Sequence, residues 1–128
     1  MNDKGKTILI VDDEPDILGF LSALFSDNGY QTVTAENGES GLEKLKASPP
    51  DLVTLDITMP EKSGVKLYRE IKESDQWNSI PVIIVTGVTG EFEKFISTRS
   101  QVPAPDGYLS KPIEKDKILE MIGKLLGT

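Results

Sequence analysis

Three acidic residues, a hydroxyl and a lysine each lie at or directly after the end of a short apolar run in this 128-residue chain. These residues are Asp12, Asp13, Asp56, Thr86 and Lys111. Ligands of an open parallel sheet bind outside the carboxyl ends of its strands, so we expect these side chains to share one crevice. Three carboxylates in one crevice repel each other unless a cation lies among them. Mg²⁺ suits such a site best, because it binds through one or two carboxylates together with water and phosphate oxygens.

A carboxylate, a metal ion, an ammonium group and a hydroxyl together can stabilise a transferring phosphoryl group. The metal and the ammonium neutralise charge on the phosphoryl oxygens while the carboxylate attacks in line, as in aspartyl-phosphate chemistry. The chain contains no histidine and no residue that resembles a strong general base. The pattern therefore predicts a domain that accepts a phosphoryl group rather than one that turns over a complex substrate.

Each of these residues also has a plain structural explanation when it is taken alone. Asp12 and Asp13 could cap a helix, and Asp56 could open a turn. Thr86 could be an ordinary strand terminus, and Lys111 could lie in an exposed loop. Their joint placement at four strand ends favours a shared site.

The composition excludes several classes of site. Cysteine and histidine are both absent, which removes disulfides, thiolate chemistry and the common zinc ligands, so any bound metal must take oxygen ligands. The net charge of −7 argues against nucleic-acid binding by this domain. No run is long enough to span a membrane, and residues 1–6 contain no apolar signal-peptide core. We therefore expect a cytoplasmic protein without membrane association.

Five strand-like runs alternate with five helical segments along the chain. The strands are predicted at Thr7–Val11, Gln31–Ala35, Leu52–Asp56, Val82–Thr86 and 108–110. The helices are predicted to start at Pro15, at Asn37-Gly38, at Ser63 or Gly64, at Glu91 and near Glu114. The alternation predicts right-handed βα repeats, with helices on both faces of a parallel sheet, in one α/β domain over residues 1–128.

At the strand ends the sequence resembles the receiver domain of two-component response regulators, and the resemblance covers essentially the whole chain. The matching features are Asp12-Asp13, Asp56-Ile57-Thr58-Met59-Pro60 with Gly64, Thr86-Gly87, and Tyr108-Leu109-Ser110-Lys111-Pro112. The resemblance implies a doubly wound, flavodoxin-like (βα)5 fold with a parallel five-stranded sheet of order 2-1-3-4-5. It also implies a signalling domain that catalyses only its own phosphorylation and dephosphorylation.

The resemblance implies a role for each residue of the site. Asp56 would accept the phosphoryl group from a histidine kinase or a histidine phosphotransfer protein. Asp13, Asp56 and the backbone carbonyl of Thr58 would bind Mg²⁺, with Asp12 acting largely through water. Lys111 would pair with the phosphoryl group, and its peptide bond to the following proline is expected to be cis.

The resemblance further implies a conformational switch. Thr86 would move towards the phosphoryl group and let Tyr108 rotate inward, which changes a surface formed by the predicted fourth helix, fifth strand and fifth helix. A downstream protein or an output domain is expected to bind this surface, where a phosphorylation-dependent dimer could also form. Whether the chain acts alone or belongs to a longer regulator stays open.

Three features depart from the family pattern. Gly87 stands where alanine is usual, and the segment between Thr86 and Lys111 is longer than usual, with prolines at 103 and 105. Thr58 and Val88 occupy positions that influence how long the phosphoryl group lasts. Neither is an acid or an amide that would orient an attacking water, so we expect a long-lived phosphoaspartate.

Three alternatives remain beside a phosphorylated receiver. A phosphatase of the haloacid dehalogenase class would carry a second aspartate at the position of Thr58. A flavin-binding module would need a phosphate-binding loop after the first strand, where Asp12, Asp13 and Glu14 would repel phosphate. A degenerate receiver, folded but not phosphorylated, is opposed only by the completeness of the residue set.

Overall fold

A computed structural model describes residues 5–60, 63–87 and 105–127 and shows a five-stranded parallel sheet in these ranges. The strand order is β2-β1-β3-β4-β5. The strands are β1 Thr7–Val11, β2 Gln31–Ala35, β3 Leu52–Asp56, β4 Val82–Thr86 and β5 Gly107–Ser110. The predicted fold class and strand order are confirmed, and the fifth strand begins one residue earlier than the sequence predicted.

Strand burial explains why the central runs are continuously apolar. Nearly all residues of β1, β3 and β4 are buried, as expected for strands covered on both faces. The edge strand β2 is instead exposed at Gln31 and only partly buried at its next three residues. The centre of the sheet is therefore apolar apart from Thr54, and the other buried polar side chains of the described residues, Asp12, Asp56 and Thr86, lie at or directly after strand ends.

Four helices lie within the described ranges: α1 Pro15–Asp27, α2 Gly38–Ala47, α3 Ser63–Glu73 and the C-terminal helix α4 Lys115–Leu126. Their ends carry the signals read from the sequence. Pro15 is at the first helical position of α1, and the side chain of Asn37 caps α2 by accepting from the Ser40 amide at 2.7 Å. The helix predicted at 91–100 lies outside the described residues. No helix of the described ranges has the length and apolar content that a membrane span needs.

Helices cover both faces of the sheet, as the doubly wound prediction requires. On one face α2 and α3 contribute Leu45, Leu67, Tyr68 and Ile71 to a core with alternate residues of the central strands. On the other face α1 and α4 contribute Leu21, Phe25, Ile118 and Ile122. In α4 the two isoleucines are buried, whereas Leu125 and Leu126 are only partly buried.

Two glycines let the helices approach the carboxyl edge of the sheet closely. A Cβ at Gly64 would lie 2.1 Å from the backbone oxygen of Asp56, so only glycine lets α3 start against the end of β3. A Cβ at Gly38 would lie 2.3 Å from the backbone oxygen of Ser63, so only glycine lets the starts of α2 and α3 lie this close together. These contacts fix the backbone on which Asp56 is presented.

A buried lysine ties α3 to the amino edge of the sheet. The side chain of Lys72 is 6% exposed, and its ammonium lies 3.3 Å from Asp106 Oδ2. It also donates to the backbone oxygens of Ile80 at 3.1 Å and Asn78 at 3.5 Å. Asp106 Oδ2 in turn accepts from the Val82 amide at 2.9 Å. The start of β4 and the residue before β5 are thereby joined to α3.

Candidate functional site

Strand register brings the acidic residues together at the carboxyl edge. Val11 pairs with Leu55 in the parallel ladder between β1 and β3, so the residues that follow them, Asp12 and Asp56, lie side by side. Both carboxylate residues are only 2% exposed, whereas Asp13 is exposed. The convergence predicted from the strand ends is confirmed for these three acids.

The acidic cluster has the donor chemistry of a hard-cation site. One carboxylate oxygen from each of Asp12, Asp13 and Asp56 lies within 4.8 Å of the other two. Burying carboxylates so close together is unfavourable unless a cation compensates them. Oxygen donors in this number and spacing fit Mg²⁺, which binds through a few carboxylates and keeps several waters.

Lys111 reaches into this cluster from the loop after β5. Its ammonium lies 3.1 Å from Asp12 Oδ2 and 3.2 Å from Asp56 Oδ2, and its side chain is 14% exposed. A third carboxylate, Glu14 Oε1, makes the shortest contact with the same ammonium. Burial acts to lower the pKa of Lys111, but its hydrogen bonds to Glu14 and Asp12 and the charge of Asp56 raise that pKa above its ordinary value. Lys111 is therefore a fixed positive charge.

The surroundings of Asp12 disfavour its charged form. Burial raises the pKa of Asp12, and the charge of Asp56 raises it further. The Glu14 amide, which donates to Asp12 Oδ1 at 2.9 Å, and the ammonium of Lys111 act in the opposite direction without cancelling the effect. The site would accept further positive charge.

The two oxygens of Asp56 have different surroundings. Oδ1 accepts from the Thr58 amide at 2.8 Å and from the Thr58 hydroxyl at 2.6 Å. Oδ2 faces the ammonium of Lys111 at 3.2 Å. The turn after β3 thus fixes the orientation of the carboxylate and directs one oxygen towards a cation.

Thr86 and Tyr108 lie on the same face of neighbouring strands. Thr86 is fully buried at the end of β4, and its backbone oxygen accepts from the Lys111 amide at 2.8 Å. Tyr108 pairs with Ile84, two residues before Thr86, so side-chain alternation puts all three on one face. Tyr108 is partly buried against the core layer formed with α2 and α3. This placement suits the predicted switch, whose movement stays a prediction.

The remaining expectations concern the flanking residues. The peptide bond from Lys111 to Pro112 is cis, as expected. Gly87 is exposed, and a Cβ there would lie 3.8 Å from Lys111 Cδ, an ordinary contact. Val88 and Pro103 lie outside the described residues.

Sequence reasoning did not predict the contact made by Glu14. Glu14 is the N-cap residue of α1, yet its side chain makes no capping hydrogen bond there and reaches Lys111, 97 residues further along the chain. The only signal was an acid at an N-cap position, where serine, threonine, aspartate and asparagine are preferred.

A groove opens beside the exposed member of the acidic cluster. It has a volume of about 550 Å³ and lies between the starts of α2 and α3, and its lining includes Asp13, Leu42, Met59 and Lys66. Asp13 is therefore reachable from solvent, while Asp12 and Asp56 lie behind it.

The comparison with protein families decides which class of domain carries this site. The family model for the response regulator receiver domain matches residues 8–123. The chain belongs to this family. The resemblance stated from the strand-end residues is thus confirmed, and receiver domains are signalling domains rather than enzymes that turn over separate substrates.

Relatives of similar length support the assignment of this receiver domain. It is 38% identical over 120 residues to the chemotaxis protein CheY of Bacillus subtilis, covering 93% of this chain and 96% of that protein. It is 35% identical over 119 residues to the protein PilH of Pseudomonas aeruginosa, with coverage of 93% and 96%. A CheY-like receiver domain from Methanospirillum hungatei has a similar crystal structure, with a TM-score of 0.83, 28% identity and coverage of 95% and 94%.

The family assignment also bears on the alternatives. It favours a signalling domain over the haloacid dehalogenase phosphatase and the flavin module. Receiver domains interact with histidine kinases and with output domains. A degenerate receiver would belong to the same family, so only a chemical test separates it from an active one.

Proposed function

We propose that this receiver domain accepts a phosphoryl group on Asp56 from a histidine kinase or a histidine phosphotransfer protein, in a Mg²⁺-dependent reaction. The observation that carries the proposal is the surroundings of Asp56. One oxygen is held by Thr58 at 2.6 and 2.8 Å, and the other lies 3.2 Å from the ammonium of Lys111. A buried carboxylate held in this way is a preorganised nucleophile beside a fixed positive charge.

In the proposed transfer, an Asp56 carboxylate oxygen forms the new bond to phosphorus. The phosphorus–nitrogen bond of the donor phosphohistidine breaks, and its electron pair stays on the imidazole, which takes up a proton from water. Lys111 neutralises charge on the phosphoryl oxygens, and the hydroxyl of Thr86 hydrogen-bonds to one of them as transfer proceeds.

Asp13, Asp56 and the backbone carbonyl of Thr58 would hold Mg²⁺, with Asp12 acting mainly through water. When bound, the ion supplies further charge neutralisation for the transferring group. The support for this ligand set is the spacing of the three carboxylates, whose oxygens lie within 4.8 Å of one another.

The proposed output of phosphorylation is a change at the face that includes β5 and α4. Thr86 moves towards the phosphoryl group, and Tyr108 rotates into the space behind it. A downstream protein or an output domain binds the altered face, and a phosphorylation-dependent dimer is a second way to use it. The same-face placement of these two residues supports the proposal.

We also propose that residues 1–128 form one receiver domain and that the protein is cytoplasmic, as expected from the sequence. Fractionation of cells that express the protein, with detection in the membrane and soluble fractions, tests the location.

Intact mass spectrometry after incubation with acetyl phosphate and Mg²⁺ tests the acceptor. We expect one phosphoryl adduct on the wild type, its loss on removal of Mg²⁺, and no adduct on Asp56→Ala. Asp16→Ala, an exposed acid in the first turn of α1, is the matched control and should be modified like the wild type. No wild-type adduct would indicate a degenerate receiver, and an adduct that survives in Asp56→Ala would place the acceptor elsewhere.

The same measurement followed over time tests the expected persistence of the phosphoaspartate. Thr58 offers no acid or amide to orient an attacking water, and its hydroxyl is engaged with Asp56 at 2.6 Å. We expect the adduct to last minutes or longer in native buffer with Mg²⁺. Loss of the adduct within seconds would show that another group activates water.

A further inference from the structure

Glu14 stands apart from the other acids of the site in its exposure. Its side chain is 56% exposed, whereas Asp12 and Asp56, the other two carboxylates on Lys111, are 3% and 2% exposed. Glu14 nevertheless makes the shortest contact with the ammonium. Its backbone amide donates to Asp12 at 2.9 Å, which holds the start of α1 next to the site.

The ammonium of Lys111 has three N–H donors, and three carboxylates surround it. All of its hydrogen-bonding capacity is therefore used before a phosphoryl group arrives. An anion that arrives beside Asp56 can engage Lys111 fully only if one existing partner is released.

The cost of release differs among the three partners. Asp56 loses its negative charge when one of its oxygens bonds to the incoming group, which frees one donor of Lys111. Asp12, if released, would be left as a buried carboxylate without its ammonium partner, which is strongly unfavourable. Glu14, if released, would return to water, because more than half of its side chain is already exposed. Exposed ion pairs contribute little to stability, so Glu14 is the less costly of these two remaining partners to release.

We propose that Glu14 is a positioning residue that holds Lys111 in the resting state and competes with the phosphoryl group for it. This inference rests on the proposed function. Glu14 sets how readily the site takes up an anion, because Lys111 gives up Glu14 rather than Asp12 to bind the anion with a second donor. Its chain position directly after Asp13 couples this exchange to the start of α1.

The test is the affinity for beryllofluoride at saturating Mg²⁺, measured by calorimetry on three variants. Glu14→Gln should bind beryllofluoride about threefold to tenfold more tightly than the wild type, because the competing ion pair is gone. Glu14→Asp keeps the charge but is one methylene shorter, so it should bind as tightly as Glu14→Gln. Asp16→Asn, which removes a charge from the same helical turn, should match the wild type.

Each other outcome overturns the proposal. Weaker binding by Glu14→Gln would show that Glu14 presents Lys111 to the anion instead of competing for it. A Glu14→Asp variant that behaves like the wild type would show that net charge, not the contact, sets the affinity.

A second measurement needs no anion and separates this proposal from the proposed function. Glu14→Gln should lower the melting temperature in the wild-type background and should not lower it in a Lys111→Met background. Equal losses in both backgrounds would mean that Glu14 does not hold Lys111. If this coupling is found but no variant binds beryllofluoride, the contact stands and the phosphoryl-acceptor function fails.

Discussion

Two lysines are largely buried at opposite edges of the same sheet, and their surroundings differ in charge balance. Lys72, at the amino edge, meets one carboxylate of the described residues, Asp106 at 3.3 Å, and two backbone oxygens. Lys111, at the carboxyl edge, meets the carboxylates of Asp12, Glu14 and Asp56.

The difference shows how one fold separates stability from function. At the amino edge one positive charge is balanced by one negative charge, and the remaining donors are used by the backbone, as in a structural tie. At the carboxyl edge the carboxylates outnumber the ammonium, and Asp13 adds another acid to the cluster. That excess is unfavourable for the unliganded domain, but under the proposed function it lets the edge bind a cation and then a phosphoryl group.

The largest expected effect comes from replacing each lysine with methionine. Without Mg²⁺, Lys111→Met should lose about 3 kcal/mol of unfolding free energy, because it leaves two buried carboxylates together. Lys72→Met should lose about 2 kcal/mol through its unpaired carbonyl and carboxylate partners. Mg²⁺ should reduce the difference in unfolding free energy from the wild type for Lys111→Met but not for Lys72→Met. Urea unfolding of both variants with and without Mg²⁺ measures this.

The experiment compares how much Mg²⁺ raises the unfolding free energy of each variant relative to the wild type. If Mg²⁺ also brought the unfolding free energy of Lys72→Met closer to that of the wild type, the ion would stabilise the fold in general rather than act at the acidic cluster. If Mg²⁺ brought the unfolding free energy of neither variant closer to that of the wild type, the ion would not bind at the acidic cluster.

A smaller effect is expected from neutralising one acid at each edge. Asp13→Asn should raise the melting temperature without Mg²⁺, since it relieves repulsion, and should weaken Mg²⁺ binding about tenfold, or about 1.4 kcal/mol. Asp106→Asn should lower the melting temperature and leave Mg²⁺ binding unchanged. Thermal unfolding across a Mg²⁺ titration measures both quantities. A loss of stability in Asp13→Asn without metal would contradict the charge excess.

The smallest effect is expected at Gly87, beside Lys111. Its φ is not positive, and among the described residues an added Cβ would meet only Lys111 Cδ, at 3.8 Å. Gly87→Ala should therefore gain about 0.4 to 1 kcal/mol of stability through the lower entropy of the unfolded chain. Its beryllofluoride affinity should equal that of the wild type in calorimetry. Gly19→Ala, on α1, where no described residue lies within 4 Å of the added Cβ, is the control for a glycine effect away from the site. A marked loss of binding in Gly87→Ala alone would show that the site needs the freedom of glycine.

The sequence was sufficient for most of the fold. The first four strands have the predicted bounds. Three of them, β1, β3 and β4, are apolar runs with β-branched residues bounded by turn residues, a pattern that favours strands. The starts of α1 and α2 followed from Pro15 and Asn37, since capping is a local interaction. Convergence of Asp12, Asp13 and Asp56 followed from topology, because parallel strands all present their carboxyl ends at one edge.

The specific ion pairs between side chains far apart in the chain were decided only by the tertiary structure. The reach of Glu14 to Lys111 and of Lys72 to Asp106 depends on distances between elements that no local pattern encodes. The presence of a glycine at position 64 does not by itself indicate that a Cβ there would lie 2.1 Å from the backbone oxygen of Asp56. The sequence by itself determined which residues stand at the functional edge, because residue order and strand direction are enough for that. Packing decided which acids pair with Lys111 at this edge, because an ion pair forms only where the folded backbone brings both charges within a few ångströms.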